Sequence, residues 1–152
     1  MTYLHPVWLA ALALPAVAHA QTIQPGQWEI TVNTTSADMP GAPPGVARSM
    51  RGAPRKISNC VTAEQASRGP KDMLKAAPNC TFTSYSMAGG KMTADMRCTN
   101  AGGTMTARTT GSFTPTSFST TSNMTMTGRM TMKMTSTATG RRIGACTAKP
   151  VG

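Results

Sequence analysis

Apolar and polar residues take turns along most of this chain. Trp28, Ile30 and Val32 alternate with Glu29, Thr31 and Asn33. Side chains of an extended backbone point to opposite sides in turn, so the stretch predicts a strand with one buried face. The pattern returns where Met92, Ala94, Met96 and Cys98 face one way, against Lys91, Thr93, Asp95 and Arg97. Met105, Ala107 and Phe113 share a face with Thr109 and Gly111, against Thr104, Thr106, Arg108, Thr110 and Ser112. From 123 to 135 the methionines all fall on even positions (Met124, Met126, Met130, Met132 and Met134), with asparagine, threonine, arginine or lysine on the odd ones.

Glycines at 89–90, 102–103, 111 and 128 punctuate these runs, and threonine dominates their polar faces, where a β-branch suits a pleated surface and a hydroxyl suits water. Three segments depart from the pattern. Residues 36–54 are rich in proline and glycine and predict a surface loop. "RKISNCV" reads as a short strand ending at Cys60. Thr62 with Gln65 three residues on predicts a capped helical turn over 62–68, and a second turn is expected near 70–76, beyond the break at Gly69-Pro70. The fold class expected is mainly β: one antiparallel meander curled into a partial barrel or sandwich, with one short helical segment and two disulfides.

The turn at Gly128 decides where the methionines go. A two-residue turn would place Met130 opposite Thr127 and send the methionines to opposite faces. An odd loop of Thr127-Gly128-Arg129 sets Met126 opposite Met130 and keeps all five together. The odd loop is the expectation.

The first twenty residues are set apart from this pattern. "PVWLAALALPAVA" has the length of a secretory apolar core, and Ala18-His19-Ala20 before Gln21 is a small-x-small cleavage site. The expectation is a signal peptide over 1–20 and a single exported β domain over 21–152, periplasmic or secreted. The apolar run is too short to span a bilayer, and no later stretch is apolar enough to do so. Both histidines, His5 and His19, leave with the signal. The remainder then has no imidazole for a Ser-His or Cys-His nucleophile pair, a zinc ligand or a proton shuttle. Its five acids, Glu29, Asp38, Glu64, Asp72 and Asp95, form no adjacent pair. An enzyme is not expected, and no cofactor.

The chain carries 15 Lys and Arg against 5 Asp and Glu, a net charge of +10. Few aromatics accompany the basic residues, so nucleic acid is not the expected partner. Arg48, Arg51, Arg55 and Lys56 are the candidate contact for an anionic envelope component, and Arg141-Arg142 forms a second basic pair.

Four cysteines in an exported chain, none in C-x-x-C, predict two disulfides. Of three connectivities the favoured one is Cys60–Cys80, around the short helix, with Cys98–Cys146, tying a central strand to the tail. Past residue 20, Leu, Ile, Val and Phe total only twelve, and twelve methionines double that set. Methionine must therefore supply much of the core, filling space that branched side chains usually take. The competing reading is a Cu(I) site of Met124, Met126, Met130, Met132 and Met134, because thioether sulfur prefers a soft cation. A small apolar ligand inside the curved sheet is the third candidate.

"PGQWEITVNTT" after the leader, "CVTAEQA" at the first cysteine and "MTMKMTSTATGRRIGAC" at the end, in that order and spacing, resemble the domain of unknown function 3617 family of small exported Gram-negative proteins. The likeness covers nearly all of residues 24–146. It implies a periplasmic or secreted β-rich domain with paired cysteines and supplies no catalytic residues. Where the family carries an acidic residue before the last cysteine, this chain has Ala145.

Overall fold

A computed structural model of the chain describes residues 22–43, 45–69, 71 and 78–147. The leader expected at 1–20 lies outside the described residues, as does most of the second helical turn expected at 70–76. Seven strands form one antiparallel sheet: β1 (Gly26–Asp38), β2 (Arg55–Val61), β3 (Cys80–Ala88), β4 (Lys91–Asn100), β5 (Gly103–Thr114), β6 (Ser117–Gly128) and β7 (Met132–Gly144). Their order across the sheet is β2-β1-β7-β6-β5-β4-β3, so the sheet is not closed and has β2 and β3 at its edges. Strands β3 to β7 form the expected meander. The N-terminal pair joins its far side when β1 lies down against β7.

Each hairpin is set by its turn. Ala88 pairs with Lys91 around Gly89 and Gly90, whose φ values of 55° and 71° are those a two-residue turn requires and glycine adopts without strain. Thr114 pairs with Ser117 around Pro115 and Thr116. The Thr114 hydroxyl accepts from Ser117 N at 2.9 Å and from Thr116 N at 3.2 Å, tying that turn locally.

Two short helices flank β2. Residues 36–54 are not loop throughout: β1 runs on to Asp38 along β7, and α1 (Val46–Met50) forms one turn. The backbone pairing offered by β7 outweighs the loop composition of residues 36–38. The other helix, α2 (Ala63–Arg68), has the predicted capping box: Gln65 N donates to Thr62 Oγ1 at 3.1 Å, and Thr62 N donates to Gln65 Oε1 at 2.9 Å. Ala66 of α2 packs on Trp28 and Val61, with Ile23 and Phe118 alongside.

The disulfides correct the favoured pairing. Cys60 bonds Cys146 and Cys80 bonds Cys98, so neither Cys60–Cys80 nor Cys98–Cys146 forms. Cys60 and Cys80 stand on opposite edges of the sheet, at β2 and β3, and cannot meet. The β3–β4 hairpin instead sets Cys80 directly opposite Cys98. At the other edge Gln27 pairs with both Cys60 and Gly144, which brings Cys146, two residues past β7, across β1 to β2.

Candidate functional site

In an antiparallel sheet, directly opposed residues share a face, so the register sorts every strand side chain into one of two surfaces. On the first, Cys98, Met105, Met126 and Met132 form one row across β4 to β7. Met96, Ala107, Met124, Met134 and Ala37 form the next row. A belt of hydroxyls follows, with Thr109, Ser122, Ser136 and Thr34 beside Ala94. Within it the Thr109 and Ser122 hydroxyls share a 2.8 Å hydrogen bond. Beyond the belt lie Met92 and Val32, then Phe113, Phe118, Gly140, Ile30 and Ile57, and last Trp28, with Arg142 and Asn59 on its flanks.

This apolar face has a closed end and an open end. At the closed end Trp28 is 2% exposed, and its ring stacks on Phe118 with centroids 6.1 Å apart. The Phe118 ring lies over Gly140, where a Cβ would collide with it. At the open end Met96, Met105, Met124, Met126, Met132 and Met134 are all only half-buried. Among the described residues no second sheet covers them. At the β3 edge, burial pushes the Tyr85 phenol up, and its hydroxyl donates to Met87 Sδ at 3.2 Å.

The loop between β6 and β7 is odd, as expected, but longer. Met126 faces Met132 and Met124 faces Met134, so the closing pair encloses 127–131. Met130, expected opposite Met126, instead sits at the tip of the loop, 60% exposed and off the sheet. β6 stays paired to β5 through Thr127 and Gly128, and Arg129 N donates to Gly102 O at 3.1 Å, so the turn comes later than a Thr127-Gly128-Arg129 loop would place it. Met132 takes the place on β7 expected for Met130, and Met105 stands beside Met126 on its other side, on β5. Its position was legible in principle: once Pro115-Thr116 is recognised as a two-residue turn, counting outward from it pairs Met105 with Met126.

The second face carries threonine, serine and most of the strand charges. Asp95 is held by Arg108 through both carboxylate oxygens, at 3.1 and 3.2 Å, and Glu29 by Arg141 at 2.9 Å. An open concavity of about 430 Å³ on this side is lined by Thr83, Asp95, Arg97, Arg108, Asn123 and Thr125. Its carboxylate, Asp95, is the one already engaged by Arg108.

The basic residues singled out at 48–56 stay neighbours only in part. Arg48 lies on α1 and Arg51 caps it, while Arg55 and Lys56 open β2 and point to opposite faces. All four are exposed, and none enters an ion pair among the described residues. The pair Arg141-Arg142 is divided likewise. Arg141 takes the polar face with Glu29, and Arg142 takes the apolar face, where its Nε donates to Pro25 O at 2.7 Å.

The family described as a protein of unknown function (DUF3617) matches residues 23–146, from Ile23 in the Trp28 cluster to the disulfide-bonded Cys146. The chain belongs to that family. No curated protein and no solved structure matches it. The span of the DUF3617 match covers the whole sheet and both disulfides, so the faces described above belong to the family domain itself. Among the described residues no helix is long and apolar enough to cross a membrane, and no cluster of three His, Cys, Asp or Glu is placed to hold a metal.

Proposed function

We propose that this DUF3617 protein is an exported, non-enzymatic binding domain that holds the apolar chain of an anionic amphiphile against the open face of its sheet. The observation that carries this reading is the half-covered apolar surface running across the strands, with six methionines at its open end. Exposed contiguous apolar area on a small domain is costly unless it meets a partner. Methionine is unbranched and polarisable, which lets such a surface adapt to chains of differing shape. Arg142 stands on this same face opposite Trp28 and Arg55 opposite Val32, and the chain's charge of +10 favours an anionic head group there. Export is supported by the leader-like residues 1–20 and by two disulfides in a chain with no free cysteine.

The test is titration with a fluorescent fatty acid below its micelle-forming concentration. Met124 and Thr125 are chain neighbours on opposite faces, so Met124→Lys and Thr125→Lys add the same charge on either side of the sheet. Saturable binding by the parent, weakened about tenfold by Met124→Lys alone, supports the reading. Equal effects of the two variants, or no saturable binding, refutes it.

A further inference from the structure

The two ends of the apolar face differ in residue type. One end is built from the buried Trp28 and Phe113 and the half-buried Phe118 and Ile30, as a core usually is. The open end, past the hydroxyl belt, sets six methionines among Phe82, Ala37, Ala107 and the Cys80–Cys98 disulfide. Filling space calls for leucine or valine as readily, yet none stands in either methionine row.

We infer that Met105, Met126 and Met132 form a thioether site for Cu(I). The three lie side by side on β5, β6 and β7, each directly opposite the next. Directly opposed Cβ atoms are about 4.5–5.5 Å apart, and two strand spacings bring the outer pair to about 9.5 Å. Each outer side chain has only one spacing to cross to reach the middle strand, and methionine has three torsions with which to do so. The three sulfurs can therefore converge over Met126. Met124 and Met134 stand in the adjoining row, one strand step of about 6.8 Å further on, and can complete or exchange the ligand set.

The donor set selects the metal. Neither methionine row includes a carboxylate or imidazole, so hard cations find no oxygen ligand and zinc no nitrogen. Thioether sulfur suits a soft monovalent ion, and a single positive charge meets the least opposition in a chain of net +10. The nearest strand cations, Arg97 and Lys133, point to the other face, opposite Thr106 and Thr125. All three methionines are only partly buried, so an ion reaches them at the surface of the sheet. Met130, which the sequence pattern groups with them, stands apart at the loop tip and is not a ligand.

The experiment uses purified protein with both disulfides formed and no free thiol detectable, since a reduced cysteine would itself bind Cu(I). Ag(I) serves as a redox-inert probe by calorimetry, and Cu(I) is titrated under ascorbate against a bicinchoninate chromophore, both without amphiphile present. The expected result is one equivalent bound, with the ε-methyl NMR signals of Met105, Met126 and Met132 shifting. The triple variant Met105→Leu/Met126→Leu/Met132→Leu should lose about 100-fold in affinity, and the single variant Met126→Leu, which keeps the site's volume, about tenfold. The control Met87→Leu/Met92→Leu, on the same face, should change affinity less than about threefold. Affinity of both the single and the triple variant within about threefold of the parent overturns the proposal, as do shifts confined to the methyls of Met39, Met50 or Met130. Because no amphiphile takes part, this outcome stands apart from that of the fatty-acid titration.

Discussion

The two disulfides offer the sharpest quantitative test of the topology, because they close loops of very different length. Cys60–Cys146 spans 86 residues and Cys80–Cys98 spans 18. On the chain-entropy account, opening the first removes about 4.6 kcal/mol of stability at 25 °C and opening the second about 3.2. Cys98 is also buried, so Cys80→Ala/Cys98→Ala loses packing as well as a cross-link, and the gap between the two free energies narrows. The denaturant slope is not masked in this way. It follows the surface exposed on unfolding, and an 86-residue loop compacts the unfolded chain far more than an 18-residue one. Urea unfolding of Cys60→Ala/Cys146→Ala should therefore show a clearly steeper slope than the parent, while Cys80→Ala/Cys98→Ala shows nearly the parent slope. Connectivity is checked in the same samples. Trypsin places the four cysteines on separate peptides (57–68, 76–91, 98–108 and 143–152), so a non-reduced mass map reads the pairs directly. A peptide joining Cys60 to Cys80, or a larger slope change for the 80–98 variant, would refute the strand order on which the faces rest.

Two further outcomes follow from single positions. Gly140→Ala should destabilise the protein by about 1–3 kcal/mol in urea unfolding, because the new methyl displaces the Phe118 ring from its stack on Trp28; an unchanged midpoint would show that ring to be free to move. Burial raises the Tyr85 pKa, so the folded chain holds this proton more tightly than the unfolded one. The stability it contributes is fully present below the unfolded value of about 10 and is lost as pH rises through the folded one. Tyr85→Phe should thus lose less stability than the parent between neutral pH and the alkaline range, and identical losses would refute the assignment.

Local chemistry was legible in the residues and tertiary placement was not. The seven-residue strand Arg55–Val61 and the capped turn after Thr62 were readable because alternation and a capping box act over a few residues. So was the division of 91–98 into an apolar and a charged face, since side-chain direction follows from backbone extension alone. The oddness of the β6–β7 loop was readable for the same reason, since parity is enough to keep the methionines on one side. Its length was not, because the turn waits until β6 leaves β5 after Gly128, and that pairing lies outside the loop's own residues.

The alternating composition by itself determined that this DUF3617 chain forms strands, which side chains share a surface, and that methionine furnishes part of the apolar one. Only the tertiary structure decided that β1 lies between β7 and β2. That one placement puts Cys146 beside Cys60, leaves Cys80 to its hairpin partner Cys98, and leaves β2 and β3 as open edges. Likewise it was the pairing of β6 with β5 and β7 that set Met105 and Met132, and not Met130, beside Met126. The physical reason is common to both. Local periodicity sets the direction of a side chain, whereas the identity of its neighbour across the sheet depends on contacts between segments that no short stretch of sequence contains.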